Sequence, residues 1–294
     1  MSAPTLGVVF RPQLPPERLR GAVEAAEECG LDELWLWEDC FLEGGISTAA
    51  MALAWSERVR VGIGLLPVPL RNPALAAMEL ATLSRAFPGR LRIGLGPGVQ
   101  DWMRQVGERV DSPLTLVREN LDAIRSLLAG ESVSVDGRYV QLDAVTLDWP
   151  PEQAPPVLVG ATGPRMLTLS GASGDGTILV SHTAPDRVRW AREQIDRGRT
   201  EAGRTEPHPI VLYALAATGP DALARAAKEA PDVSDETFIL SGDAAAYAAD
   251  IVRWHEAGAD TLVLQPLADE TGIEAFIRFV TGEVAPLLGD RRRL

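Results

Sequence analysis

Short apolar runs alternate with amphipathic stretches along the whole 294-residue chain. Thr5–Phe10 reads as a strand, and Pro16–Cys29 as a helix ended by Gly30. The same pairing recurs in Glu33–Trp37 with Ile46–Ala54, and in Val59–Leu65 with Pro73–Phe87. Leu91–Leu95 is followed by the strongly amphipathic Pro113–Ala129, ended by Gly130. Ser132–Asp136 and Tyr139–Leu142, joined through Gly137, read as an inserted hairpin. Pro156–Val159, Thr177–Ser181, Ile210–Ala216 and Thr261–Gln265 supply four more strands. Helices are expected at Pro164–Ser173, Asp186–Thr200, Asp221–Ala230, Ala244–Ala257 and Gly272–Leu288. Eight core strands, nearly all followed by a helix, predict a (β/α)8 TIM barrel spanning 1–294 as a single domain. A doubly wound sheet is the alternative. Against it, no midpoint linker is visible, and Gly94-Leu95-Gly96-Pro97-Gly98 has the wrong spacing for a dinucleotide fingerprint.

One segment carries candidate chemistry by its local pattern. Pro155-Pro156-Val157-Leu158-Val159-Gly160-Ala161-Thr162-Gly163-Pro164-Arg165-Met166-Leu167 is an apolar run, a glycine-flanked turn and a helix start. Pro164 falls where a first helical residue tolerates a missing N–H. Gly160 and Gly163 let an anion approach the backbone, and the free N–H groups of the helix start point at it. Gly174-Asp175-Gly176 then turns into the next strand. The unit reads as a phosphate-sized nest, or as an ordinary αβ connection with a Gly/Pro turn.

Charge and composition narrow the partners. A net charge of −13 argues against a nucleic-acid backbone or an acidic membrane as a general partner. No segment reaches the ~18 unbroken apolar residues of a membrane span, and Met1–Phe10 lacks the marks of a signal peptide. Cys29 and Cys40, the only cysteines, form no CxxC pair, so a reduced, cytoplasmic protein is expected. Lys228 is the sole lysine and lies in an exposed-looking helix, which leaves a Schiff-base mechanism without a nucleophile. His182, His208 and His255 are scattered and form no zinc motif, so no metal site is expected.

In a barrel the chemistry belongs at the C-terminal ends of the strands. The first strand end offers Arg11 and Pro12; the second offers Trp37-Glu38-Asp39-Cys40-Phe41. The third offers Gly64-Leu65-Leu66-Pro67 and then Arg71-Asn72-Pro73; the fourth offers Gly96-Pro97-Gly98-Val99-Gln100-Asp101-Trp102-Met103. His182 and Thr183 follow the sixth, and Gln265 and Pro266 the eighth. Glu38 and Asp39 are adjacent carboxylates, so one can point inward, where desolvation raises its pKa. Both can equally be solvated loop acids. Trp37, Trp102 and Met103 are candidates for an apolar substrate pocket, or for rim packing. His182 is a candidate acid/base or a structural histidine; His208 and His255 read as structural or surface residues.

With these residues in view, the chain resembles the bacterial luciferase-like oxidoreductases over almost its whole length. Ala26-Glu27-Glu28-Cys29-Gly30-Leu31-Asp32-Glu33-Leu34-Trp35 matches the family's entry into the second strand. Gly62-Ile63-Gly64-Leu65-Leu66-Pro67 with Arg71-Asn72-Pro73, and Gly89-Arg90-Leu91-Arg92-Ile93-Gly94-Leu95-Gly96-Pro97-Gly98, follow in order. Leu127-Leu128-Ala129-Gly130-Glu131 with Asp136-Gly137-Arg138-Tyr139, then Gly160–Arg165 with Gly174-Asp175-Gly176, complete the match.

The resemblance implies a barrel that binds FMN or the deazaflavin coenzyme F-420 (F420). The Gly-Ala-Thr-Gly-Pro-Arg turn is similar to the deazaflavin branch, whereas the FMN monooxygenases more often have a Ser-rich turn. It implies Gly160, Ala161, Thr162, Gly163 and Arg165 at the cofactor phosphate. Ile63, Gly64 and Leu65 would back the ring, where the family often has a bulge with a cis peptide. Gly96, Gly98 and Gln100 would lie along the ring or side chain. One departure stands out: relatives often carry Asp-His after the second strand, and the aligned pair here is Glu38-Asp39, followed by Cys40. Glu38 or Asp39, with His182 as second candidate, would then be the proton partner in hydride transfer to or from a small apolar substrate. An FMN-dependent monooxygenase and a cofactor-binding protein without turnover are the alternatives. The family's habit of pairing barrels through helices near the second and third strands implies a homodimer.

Overall fold

The computed structural model describes residues 3–229 and 239–289. Strands β1 (Thr5–Phe10), β2 (Glu33–Leu36), β3 (Arg60–Pro67) and β4 (Leu91–Gly96) lie side by side in parallel. β5 (Val133–Asp136) and β6 (Gln141–Val145) form the separate antiparallel hairpin. β7 (Val157–Gly160), β8 (Gly176–Leu179) and β9 (Ile210–Ala216) continue the sheet. β11 (Thr261–Pro266) pairs with both β9 and β1 and closes an eight-stranded parallel barrel. All eight expected core strands are present in the expected order.

Helices cover the barrel: α1 (Leu19–Cys29), α2 (Gly45–Ala54), α3 (Pro73–Ala86), α4 (Gln100–Gln105) and α5 (Pro113–Leu128) in the first half. α6 (Pro164–Ser173), α7 (Pro185–Glu201), α8 (Ala222–Glu229), α9 (Ala244–Glu256) and α10 (Ile273–Phe279) complete the layer. Among the described residues no helix is long and apolar enough to cross a membrane.

Three local readings need correction. The short strand β10 (Ile239–Leu240), which adds to the C-terminal half of β9, is too brief to leave a periodic signal. The helix α4 sits in what reads as a glycine-rich loop. The expected Gly272–Leu288 helix is α-helical only to Phe279, then continues as a π turn over Val280–Val284 and a 3-10 turn over Ala285–Leu288. Pro286 has no N–H to give the α ladder, which favours the change of winding. The last residue of the expected Asp221–Ala230 helix lies outside the described residues.

The period of two along each strand assigns the two faces. Val9, Trp35, Leu158, Ile178, Val211, Tyr213 and Val263 pack together inside the barrel, whereas Val8 and Leu34 pack under the helices. Glu33 has the same parity as Trp35 and is 3% exposed. Its carboxylate accepts from Trp35 Nε1 at 3.0 Å and Arg60 Nε at 3.1 Å, with Arg92 Nε at 3.5 Å. A buried charge needs such partners. Trp35 therefore fills the barrel, and the space above it opens toward the C-terminal ends of the strands.

A second buried polar chain fixes α6. Ser170 of α6 bonds Thr177 of β8 at 2.7 Å, and Thr177 bonds His208 Nε2 at 2.8 Å. His208 is buried and structural; burial, with help from Arg192, Arg199 and Arg204, lowers its pKa to about 4. In the unfolded chain an ordinary histidine pKa is about 6.5. Between those values the unfolded state binds more protons, so stability falls as pH drops through that window. The expected loss on going from pH 7 to 4 is up to about 3 kcal/mol. Urea unfolding at several pH values checks this: His208→Asn should flatten the slope, and an unchanged slope would refute the assignment.

Candidate active site

A cleft of about 570 Å³ lies at the C-terminal ends of the strands. β2 supplies its most important wall. The inward parity of Glu33 and Trp35 carries on to Trp37 and Asp39, both of which line the cleft. Trp37 meets Tyr213 edge to face at 5.6 Å, and Tyr213 meets Trp35 likewise at 5.8 Å. These rings form an aromatic floor. The Tyr213 hydroxyl donates to the Gly64 carbonyl at 3.2 Å, and burial pushes its pKa up.

Glu38 and Asp39 have different jobs. Glu38 accepts from the Gly45 amide at the start of α2 at 2.7 Å and takes both Arg71 Nη atoms, Nη2 at 2.7 Å. Arg71 also pairs with Glu79 of α3 at 3.4 Å. Both Glu38 oxygens are thus committed to holding α2 and the loop after β3 together. Among the described residues, no hydrogen bond or ion pair of this kind holds the Asp39 side chain. Burial raises its pKa above the usual carboxylate value, with Arg11 working against the rise. Arg11 itself bonds Glu229, the Pro266 carbonyl at 3.0 Å and Gln13 at 3.0 Å, and lies 5.5 Å from the Trp37 ring centre.

Next to β2, the strand β3 bulges: its register with β4 shifts between Ile63 and Leu66, and the Gly64–Leu65 peptide is cis. The bulge turns Leu65 toward the cleft, across Gly96 and Gly160. A Cβ on Gly160 would lie 2.1 Å from Leu65 Cδ2, and one on Gly96 2.8 Å from the same side chain. A Cβ on Gly64 would lie 2.0 Å from the Tyr213 hydroxyl. These close approaches explain why glycine stands there. Any larger residue would push Leu65 or Tyr213 out of place.

The turn after β7 forms the far end. Thr162 and Ala161 line the cleft, together with Met166 of α6. The first helical bond of α6 runs from the Leu167 N–H to the Gly163 carbonyl, and Gly163 gives the helix no side-chain cap. The Arg165 and Met166 amides therefore have no acceptor within the helix. The Ala161 amide is not available, since it donates to the Ile178 carbonyl at 3.1 Å. Arg165 is exposed on the first turn, and Arg187 reaches the Thr162 carbonyl at 3.3 Å.

Of the residues singled out in the sequence, Trp37, Glu38, Asp39, Gly64, Leu65 and Gly98 line the cleft. Trp102, Gly160, Ala161 and Thr162 do so as well. Several do not. Met103 is fully buried beneath Gly98, because the next residue on a helix points about 100° away from Trp102. Ile63 faces α2, where it would meet a Cβ on Gly45 at 3.0 Å. Gly96 is buried under Leu65. Gln100 folds back onto the Pro97 and Gly98 carbonyls at 3.2 Å each and braces the loop. His182 is exposed in the turn after β8, outside the cleft, so the geometry gives it no place beside Asp39. Gly163 and Arg165 stand at the start of α6 and do not line the cleft. Tyr213 went unnoticed in the sequence. Its only signal was a polar ring at the inward position of an otherwise apolar strand.

Fold, bulge and strand-end cleft define a luciferase-like barrel. The luciferase-like monooxygenase family model matches residues 5–258, and the chain belongs to that family. A 5,10-methylenetetrahydromethanopterin reductase of Methanolobus tindarius is 31% identical over 238 residues, which cover 81% of this chain and 72% of that protein. An F420-dependent glucose-6-phosphate dehydrogenase of Kineococcus radiotolerans is 29% identical, covering 94% of each chain. The solved coenzyme F420-dependent tetrahydromethanopterin reductase of Methanopyrus kandleri superposes with a TM-score of 0.84 at 21% identity, covering 98% of this chain and 100% of that one.

Proposed function

We propose that this chain is an F420-dependent oxidoreductase acting on a small molecule, with Asp39 as the proton-carrying residue. One observation carries the reading. One largely apolar cleft brings together the start of α6, whose first amides have no helical acceptor, and the half-buried carboxyl of Asp39, with the Leu65 bulge on the strand between them. The residues fit a phosphate-bearing, flat, redox-active ring. The Arg165 and Met166 amides and the Thr162 hydroxyl would hold the phosphate, favoured by the positive end of α6. Leu65, Gly64 and Gly98 would back the ring. When bound, the deazaflavin accepts or gives hydride at C5. The chain supplies orientation, a dry aromatic floor and the proton at Asp39. The names of the relatives support F420 over FMN. So does the Gly160–Arg165 turn, which has one hydroxyl, at Thr162, rather than a serine-rich set.

The test is titration of the purified protein with F420 and, in parallel, FMN, followed by fluorescence. Saturable binding of F420, with FMN at least tenfold weaker, is expected. Tight FMN binding with F420 ignored would move the protein to the FMN-dependent monooxygenases.

We also propose a single functional barrel working as a cytoplasmic homodimer. Leu75 and Met78, 48% and 56% exposed on α3, support the α2–α3 face as the contact. Sedimentation of the wild type should give a dimer, and Leu75→Arg with Met78→Arg should give a monomer. A wild-type monomer would remove this part of the reading.

A further inference from the structure

Resting on the reading above, we propose that the substrate is an uncharged, largely apolar molecule with one polar function presented to Asp39. Phosphorylated and carboxylated compounds are turned away. The charge distribution around the cleft carries this. Among the described lining residues there is no Lys, Arg or His, and the only carboxylates are Glu38 and Asp39. The two guanidinium groups behind this end are committed elsewhere. Arg71 is taken by Glu38 and Glu79, and Arg11 by Glu229, Gln13 and the Pro266 carbonyl. Neither can turn into the cleft without leaving a partly buried carboxylate unpaired.

Two other cations stand outside the cleft lining, beside the turn after β7. Arg165 is exposed on α6, and Arg187 touches the Thr162 carbonyl. They stand beside the start of α6, where the reading above puts the cofactor's phosphate. The cleft is thus polarised along its length, cationic at the cofactor tail and acidic where a substrate meets Asp39. An anion placed there would lose its water and gain no counter-ion.

The rest of the surface is mainly apolar, with Ser181, Gln265 and the Tyr213 hydroxyl as its uncharged polar groups. Trp37, Trp102, Pro67 and Pro97 wall the cleft, and Val99 and Val180 at its mouth are 49% and 48% exposed. In the loop after β2, Phe41 and Leu42 are 64% and 54% exposed. The relatives named for glucose 6-phosphate act on a phosphate ester; apart from the start of α6, which the cofactor's phosphate would occupy, the described lining has no cation to hold one.

The test uses the F420-loaded protein and a matched pair of ketones, cyclohexanone and 4-oxocyclohexanecarboxylate, with glucose 6-phosphate as third probe. Binding is followed by quenching of tryptophan fluorescence. Cyclohexanone is expected to bind, with the keto acid and the sugar phosphate roughly 30-fold weaker or more. In Ser181→Arg, which adds a cation to the lining, the gap between the two ketones should shrink. Equal or tighter binding of either anion by the wild type would overturn the proposal. So would failure of cyclohexanone to bind while F420 is bound. Failure of F420 itself to bind shows before any ketone is added, and counts against the functional reading instead.

Discussion

Asp39→Asn is expected to lower kcat about 10²- to 10⁴-fold, the range for loss of a positioned proton-transfer group. F420 affinity should change little, because Asp39 follows β2, three strands round the barrel from the turn after β7. The amide keeps the size of the carboxyl and removes its proton. Glu38→Gln is the instructive comparison. Glu38 is bound to Arg71 and the Gly45 amide, so its loss should show first as lower thermal stability. The pH profile adds a sign. Burial raises the Asp39 pKa, so in the reductive direction, where Asp39 donates, turnover should decline as pH rises through that raised value. In the oxidative direction, where it accepts, turnover should rise over the same interval. A kcat unchanged in Asp39→Asn would remove Asp39 from the chemistry.

Gly171→Ala is expected to destabilise the protein by about 3 kcal/mol or more, the upper range for overpacking. A Cβ there would lie 2.0 Å from the Ile195 carbonyl oxygen, and Gly198 meets the Thr168 carbonyl in the same way. The two glycines let α6 and α7 touch backbone to backbone, and neither clash can be relieved by a side-chain rotation. α6 must therefore move, and its N-terminal amides move with it. Weaker F420 binding should accompany the lower unfolding midpoint, measured in urea on the same sample. A fall in stability with unchanged F420 affinity would show that the cofactor does not use the start of α6.

The barrel was legible in the sequence because its signals are local. Runs such as Ile210–Ala216 are apolar on both faces, as a parallel strand buried on both sides must be, and Gly or Pro punctuates most connections. Parity within β2 was also readable: Glu33, Trp35 and Trp37 alternate with Leu34 and Leu36. The division between Glu38 and Asp39 was not. It depends on Arg71, 33 residues away from Glu38, arriving beside one carboxylate and not the other. The seat of Leu65 was hidden for the same reason, since it is made by Gly160 from a distant strand. Met103 shows the limit of composition. Two apolar neighbours on one short helix look alike in sequence, yet one lines the cleft and the other fills the core. The start of α6 was legible because Gly163 and Pro164 mark a helix start by themselves.

The most direct measurement is a crystal structure of the protein with F420 bound. The phosphate is expected within hydrogen-bonding distance of the Arg165 and Met166 amides and the ring against Leu65, with its reactive edge open toward Asp39. A ring seated at the nest with the phosphate near Asp39, or F420 bound outside this cleft, would contradict this placement.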